Sequence, residues 1–147
     1  MNQILEGPID ESYSILEQLL SNISFDKSLL GGIAAQLFSR ERYKLAALIF
    51  RRWAEIDSTN PEPWSNLGLV LSRYGDLEGA KGALLKALSI DSSYPAALNN
   101  LAGVYQFLGE FESQLETALR AVEIQPDSAT ALNNLGTALL EIGRAHV

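Results

Sequence analysis

Residues 61–94 read PEPWSNLGLVLSRYGDLEGAKGALLKALSIDSSY, and the pattern returns when the chain is shifted by 34 residues. Asn66 becomes Asn100 and Asn134, Leu67 becomes Leu101 and Leu135, and Gly75 becomes Gly109 and Gly143. Ile56, Ile90 and Ile124 share a phase, as do Pro61 and Pro95. A fixed period of this length marks stacked supersecondary units, because one unit cannot bury its own apolar face. Within the quoted stretch Trp64, Leu67, Gly68 and Leu71 recur at helical spacing. Gly75 then stops the helix, and Asp76 can cap a second one carrying Ala80, Leu84, Ala87 and Leu88. Small residues at 68 and 80 suit two helices that cross closely. The period predicts an all-α stack of repeated two-helix units.

Upstream, residues 27–60 form the first unit in register. Its first helix is expected to bury Leu30, Ile33, Ala34 and Leu37, and its second Ala46, Phe50, Trp53 and Ala54. Gly31 and Gly32 weaken that first helix by roughly 1 kcal/mol each relative to alanine. Residues 1–26 read as a lead-in and a capping helix over about 10–23, with Asp10 as cap and Tyr13, Leu16, Leu19, Leu20 and Ile23 as its stripe. Downstream, residues 95–128 repeat the scheme, and 129–147 supply a partial unit through Leu132, Leu135, Gly136 and Leu139. An unpaired first helix leaves an apolar face uncovered. The chain is therefore expected to belong to a longer protein or to cover that face by self-association.

Composition narrows the function classes. The 147 residues carry a net charge of −7, which opposes nucleic acid and anionic membrane surfaces alike. With no cysteine, disulfides and thiolate metal sites are excluded. No apolar run is long enough to span a bilayer. The N-terminal residues lack a basic segment followed by an apolar one, so a cytoplasmic location is expected. His146 is the one histidine, and no HExxH, phosphate-binding loop or nucleophile elbow is present. Neither catalysis nor a cofactor or metal is expected.

The series Trp64, Leu67, Gly68, Leu71, Gly75, Ala80, Leu84 and Ala87 resembles the tetratricopeptide repeat. Leu98, Leu101, Ala102, Tyr105, Gly109, Phe111, Ala118, Ala121 and Pro126 repeat it, and the resemblance extends over residues 27–147. Three positions depart from the pattern: Gln114 stands at the phase of Ala80 and Ala46, predicting a looser crossing. Trp53 stands at the phase of Ala87, and Ser92 where the family often has proline. The resemblance implies an all-α solenoid, a right-handed superhelix of antiparallel helix pairs whose first helices line a concave groove for a peptide or a partner's helix.

In that groove Asn66, Asn100 and Asn134 would form a ladder of amides, each with one acceptor and two donors for an extended main chain. Asn99 and Asn133 precede two of them. Similar ladders in protein O-linked N-acetylglucosamine transferases hold substrate polypeptides, so a recruiting role within a longer glycosyltransferase is one expectation. A structural element that self-associates through its terminal helix is the alternative. Chaperone-tail receptors of this family clamp a terminal carboxylate with lysine and arginine; here those positions hold Gly31, Ser65, Asn99, Glu62 and Ala96, so no clamp is expected. Arg73 is the one cation near the centre of the groove, and Phe107 and Phe38 are candidate apolar anchors. Trp53 and Trp64 are assigned to packing between helices, and Arg40, Arg42, Lys44, Arg51 and Arg52 to a solvated outer face.

Overall fold

The computed structural model describes residues 11–22 and 26–147, and every regular element among them is a helix. The order is α1 (Glu11–Asn22), α2 (Lys27–Ser39), α3 (Tyr43–Ile56), α4 (Pro61–Tyr74), α5 (Leu77–Ile90), α6 (Pro95–Leu108), α7 (Phe111–Ile124) and α8 (Ala129–Ala145). The lead-in Met1–Pro8, Asp10 and Ile23 lie outside the described residues. In α1, Leu20 is buried and Leu16 half-buried, whereas Leu19 is exposed.

The hairpin turns follow directly from the repeated glycines. Gly75 closes α4 with φ 99°, and Asp76 N–H reaches back to Leu71 O at 2.9 Å. Gly109 closes α6 in the same way with φ 75°, and Glu110 N–H bonds Tyr105 O at 3.0 Å. The first repeat makes this turn with Glu41, φ 58°, and Arg42 N–H donates to Leu37 O at 2.8 Å. A left-handed backbone costs a side-chain-bearing residue roughly 1–2 kcal/mol. Glu41→Gly is therefore expected to stabilise the chain by up to about 1 kcal/mol, the remainder being lost to glycine's backbone entropy. Urea denaturation checks it; a lower midpoint for the glycine variant would refute it.

From α2 onward each helix packs on its immediate neighbours, α1 packs on α3, and first helices also meet one another, α4 with α6 and α6 with α8. First helices thus form one wall and second helices the other. Between them runs an apolar seam through Leu30, Ala34, Ile49, Phe50, Leu67, Leu84 and Leu101. Leu88 packs against this seam and also against the next group, Leu98, Ala121 and Ala131. Ile33, expected in the stripe of α2, is instead 40% exposed. On α8, Leu132 and Leu139 share the phase of the buried Leu98 and Tyr105 yet remain largely exposed.

Bulk on the second helix meets a small residue on the first in the hairpins α2–α3 and α4–α5, and both positions are small in α6–α7. A Cβ on Gly68 would run into Leu84, whose Cδ2 stands 2.7 Å from that position. The equivalent pairs are Ala34 with Phe50 and Ala102 with Ala118. Gly31 does similar work in α2, where an added Cβ would lie 3.3 Å from the Trp53 ring. The room left by Gly31 admits the large side chain that replaces alanine at this phase, and α2 continues unbroken through both glycines. Gly32 meets nothing and retains only its cost.

At the phase where a looser crossing is expected, the structure puts a buried amide with a partner on the next helix. Gln114 is wholly buried, and its Nε2 donates to Thr137 Oγ1 at 3.3 Å and Asn134 O at 3.4 Å, tying α7 to α8. Its Oε1 is enclosed there without a hydrogen-bond donor.

One ion pair joins the two ends of the first repeat. Lys27 Nζ lies 3.1 Å from Asp57 Oδ1, while Asn60 Nδ2 donates to Asp57 Oδ2 at 3.0 Å. The Asn60 amide, followed by Lys27, holds the Asp57 carboxyl below the usual carboxylate range. A depressed acid stabilises the fold above its unfolded value of about 3.9 and loses that contribution as pH falls through the lower folded value. Melting temperature should therefore drop less steeply below about pH 4 in Asp57→Asn than in the parent chain. Parallel curves for the two proteins would refute this linkage.

Candidate functional site

The period of 34 residues that builds the seam also builds rows along the first-helix wall. Residues at one phase follow one another from α4 to α6 to α8, giving Asn66–Asn100–Asn134, Leu69–Gly103–Thr137 and Arg73–Phe107–Glu141. Between α4 and α6 these rows enclose a hollow of about 370 Å³. Leu69, Ser72 and Arg73 line it from one side, and Asn99, Asn100, Gly103 and Phe107 from the other. A second hollow of about 300 Å³ lies between α2 and α4, with Asn66 on its wall. Leu69 lines both, so the two adjoin.

The expected site residues distribute unevenly. Asn99, Asn100, Arg73 and Phe107 meet at one hollow, and Asn66 lies at the other. Asn66, Asn99 and Asn100 are half-buried, Arg73 is exposed, and Phe107 is 74% exposed despite being a phenyl ring. Asn99 Oδ1 is enclosed without a hydrogen-bond donor. Asn134 differs from its two counterparts. It is 9% exposed, and its Nδ2 donates to Asn99 O at 3.2 Å, so it braces α8 against α6. Asn133 is exposed and lies on neither hollow, while its carbonyl accepts from Thr137 Oγ1 at 3.0 Å. Phe38 is half-buried and packs on Tyr43 with ring centroids 5.5 Å apart, although it also edges the α2–α4 hollow. Trp53 and Trp64 join the core seam, as expected.

Leu69 and Gly103 went unnoticed in the sequence. Both line the α4–α6 hollow, and a Cβ added to Gly103 would meet nothing within 4 Å. The signal was available, since the two stand at one phase of the repeat, but it carries no polar chemistry to draw the eye.

Charge is sparse on this wall. Helices α2, α4, α6 and α8 carry only Lys27, Glu62, Arg73, Glu141 and Arg144, and α6 carries none. Glu141 is engaged by Arg144 at 3.0 Å. Arg73 makes no ion pair with any described residue. On the opposite wall, Lys81 Nζ holds Glu110 Oε1 at 2.8 Å and lies 5.6 Å from the Tyr105 ring centroid. The bond to Glu110 raises the Lys81 ammonium above its ordinary value.

A further hollow of about 320 Å³ between α1 and α3 is lined by Arg51 and Arg52 together with Glu17 and Glu55. Arg52 pairs with Glu55 at 3.4 Å, so cations and anions are mixed there. Arg40, Arg42 and Arg51 are exposed. Among the described residues no helix is long and apolar enough to cross a membrane, and no group of three or more histidines, cysteines or carboxylates is placed to hold a metal ion.

The family model of the tetratricopeptide repeat matches residues 61–94 and 95–128. No curated protein matches the chain by sequence. Among solved structures, the Sgt2 TPR domain from Aspergillus fumigatus superposes with a TM-score of 0.79 at 20% identity, over 84% of this chain and 83% of that one. The first TPR domain of Spaghetti (RPAP3), bound to the HSP90 peptide SRMEEVD, gives 0.76 at 19% identity, over 80% and 93%. MamA gives 0.76 at 20% identity, over 87% and 75%. At these identities the likeness is one of fold.

Proposed function

We propose, for a chain that carries tetratricopeptide repeats at residues 61–94 and 95–128 within a solenoid of that kind, that it holds another polypeptide in extended form along its first-helix wall. The observation that carries this reading is the pair Asn66 and Asn100. They stand one repeat apart, on two hollows that adjoin at Leu69. Side-chain amides offer donors and acceptors without charge, which suits a main chain whatever its sequence. The low charge of the wall supports the same conclusion, because Arg73 is the one cation on α4 and α6. A relative in fold is bound to a chaperone peptide, which is consistent with a peptide role at the level of the fold. The cations of a terminal-carboxylate clamp are replaced here by Gly31, Ser65, Asn99, Glu62 and Ala96. Asn134 is assigned to bracing rather than to ligand contact. Within a longer protein such as a glycosyltransferase, the same wall would present the acceptor chain.

The test is selection from a displayed random peptide library on the intact chain. Binders are expected from the parent protein and not from Gly103→Leu, which fills the α4–α6 hollow without touching the core. Replacing Asn66 and Asn100 together with alanine should weaken a selected peptide roughly tenfold, since each amide bond contributes about 0.5–1.5 kcal/mol net. Circular dichroism and melting temperature establish that both variants remain folded. Unchanged binding in both would remove the groove from the proposal.

A second reading rests on Leu132 and Leu139, which stay exposed at phases buried elsewhere. These would serve self-association along α8. Sedimentation over a range of concentrations separates the two readings, and Leu139→Glu should abolish any dimer while sparing peptide binding.

A further inference from the structure

The row Arg73–Phe107 gives the groove a chemical preference, and we infer that it selects an internal acidic side chain two residues from an apolar one. This inference rests on the peptide-groove reading above and adds a ligand class to it. Four observations carry it. Arg73 and Phe107 occupy one phase on consecutive first helices and line the same hollow. Arg73 is exposed and without an ion pair among the described residues, on a wall whose remaining central stretch is uncharged. Phe107 leaves 74% of its surface to solvent. Gly103, one turn before Phe107 on α6, leaves open space beside the ring.

The spacing fixes the form of the ligand. Packed helices lie about 8–10 Å apart. In an extended chain, residues i and i+2 point to one side and stand about 7 Å apart. The flexible stem of arginine spans the difference, so a carboxylate on one residue meets the guanidinium while the side chain two positions away covers the phenyl ring. Asn100 lines the same hollow two turns before Phe107 on α6, about 10 Å along the helix, and is reached by the continuing chain rather than by this pair of residues. A guanidinium–carboxylate pair is charge-assisted and geometrically selective. The chain's net charge of −7 does not cancel this attraction. Its distant anions are screened over about 8 Å at physiological ionic strength. The nearest anion in the row, Glu141, is already held by Arg144. The acidic side chain is internal to the peptide, because no further cation is present on the central helices α4 and α6 to receive a terminal carboxylate.

The experiment uses the full chain and a random peptide library displayed with both peptide ends tethered. Parent protein should enrich sequences with Asp or Glu two positions from Leu, Phe, Ile or Met. Arg73→Glu should turn the acidic preference into a basic one and keep the apolar position. Phe107→Ala should lose the apolar preference and keep the acidic one. For a synthetic peptide taken from the selection and blocked at both termini, Glu→Gln should weaken binding to the parent about tenfold and binding to Arg73→Gln hardly at all. Binders that show no acidic preference, or whose preference survives Arg73→Glu, overturn this inference while leaving the peptide groove intact. Binding that requires a free terminal carboxylate overturns it as well. A library that yields no binder to any form of the protein overturns the groove itself. Because Arg73 and Phe107 are exposed, these variants are expected to fold, and a melting curve confirms it.

Discussion

Gly68→Ala is expected to destabilise the chain by about 1–3 kcal/mol, although alanine is the better helix former by roughly 1 kcal/mol. The added methyl would collide with Leu84, which is fully buried and must shift to admit it. The cost is therefore tied to one partner. In the next repeat the same two positions are Ala102 and Ala118, both wholly buried. Leu84→Ala alone should cost about 2–5 kcal/mol as a cavity. In the double variant the Gly68→Ala penalty should largely vanish, leaving a coupling of about 1–3 kcal/mol between the two sites. Urea midpoints of the four proteins measure this directly. Additive losses would mean that the hairpin does not exchange volume in the way its coordinates suggest.

Trp53→Ala is expected to produce the largest single loss, about 3–5 kcal/mol. The indole is 6% exposed, stacks on Phe50 with centroids 6.3 Å apart, and fills the space above Gly31. No other repeat contains this arrangement, and no smaller side chain at 53 would reach the α2 backbone at a glycine. Chemical denaturation gives the magnitude. Hydrogen exchange gives the location, since protection should fall in α2 and α3 and persist in α6 and α7. A loss under 1 kcal/mol would show that the repeat tolerates an empty site there.

The fold was legible because its cause is periodic. Leu67, Leu101 and Leu135 announce a face, and Gly75 and Gly109 announce a turn. Where the period is kept by another residue, reading fails. Glu41 adopts the backbone of Gly75 and Gly109 without their chemistry, and nothing in its side chain advertises a positive φ. Phase reports position and not partners, so the bond of Gln114 to Thr137, which depends on the side chain of another helix, could not be read from it. The asparagine row shows the same limit. Asn66, Asn100 and Asn134 are equal in sequence, yet only Asn134 is buried with its amide bonded to Asn99 O. The pair Leu69 and Gly103 carried a weak signal because an empty position has no composition to notice.

Among the described residues the helices pack on those beside them or one step along the same wall. Damage at one extremity therefore has no direct route to the other, and the molecule should behave as a spring with fraying ends. The proposed groove lies on α4 and α6, flanked by other helices on both sides, where such fraying arrives last. A ligand that bridges those two coils would tighten the middle of the spring. The ends would stay free to bend.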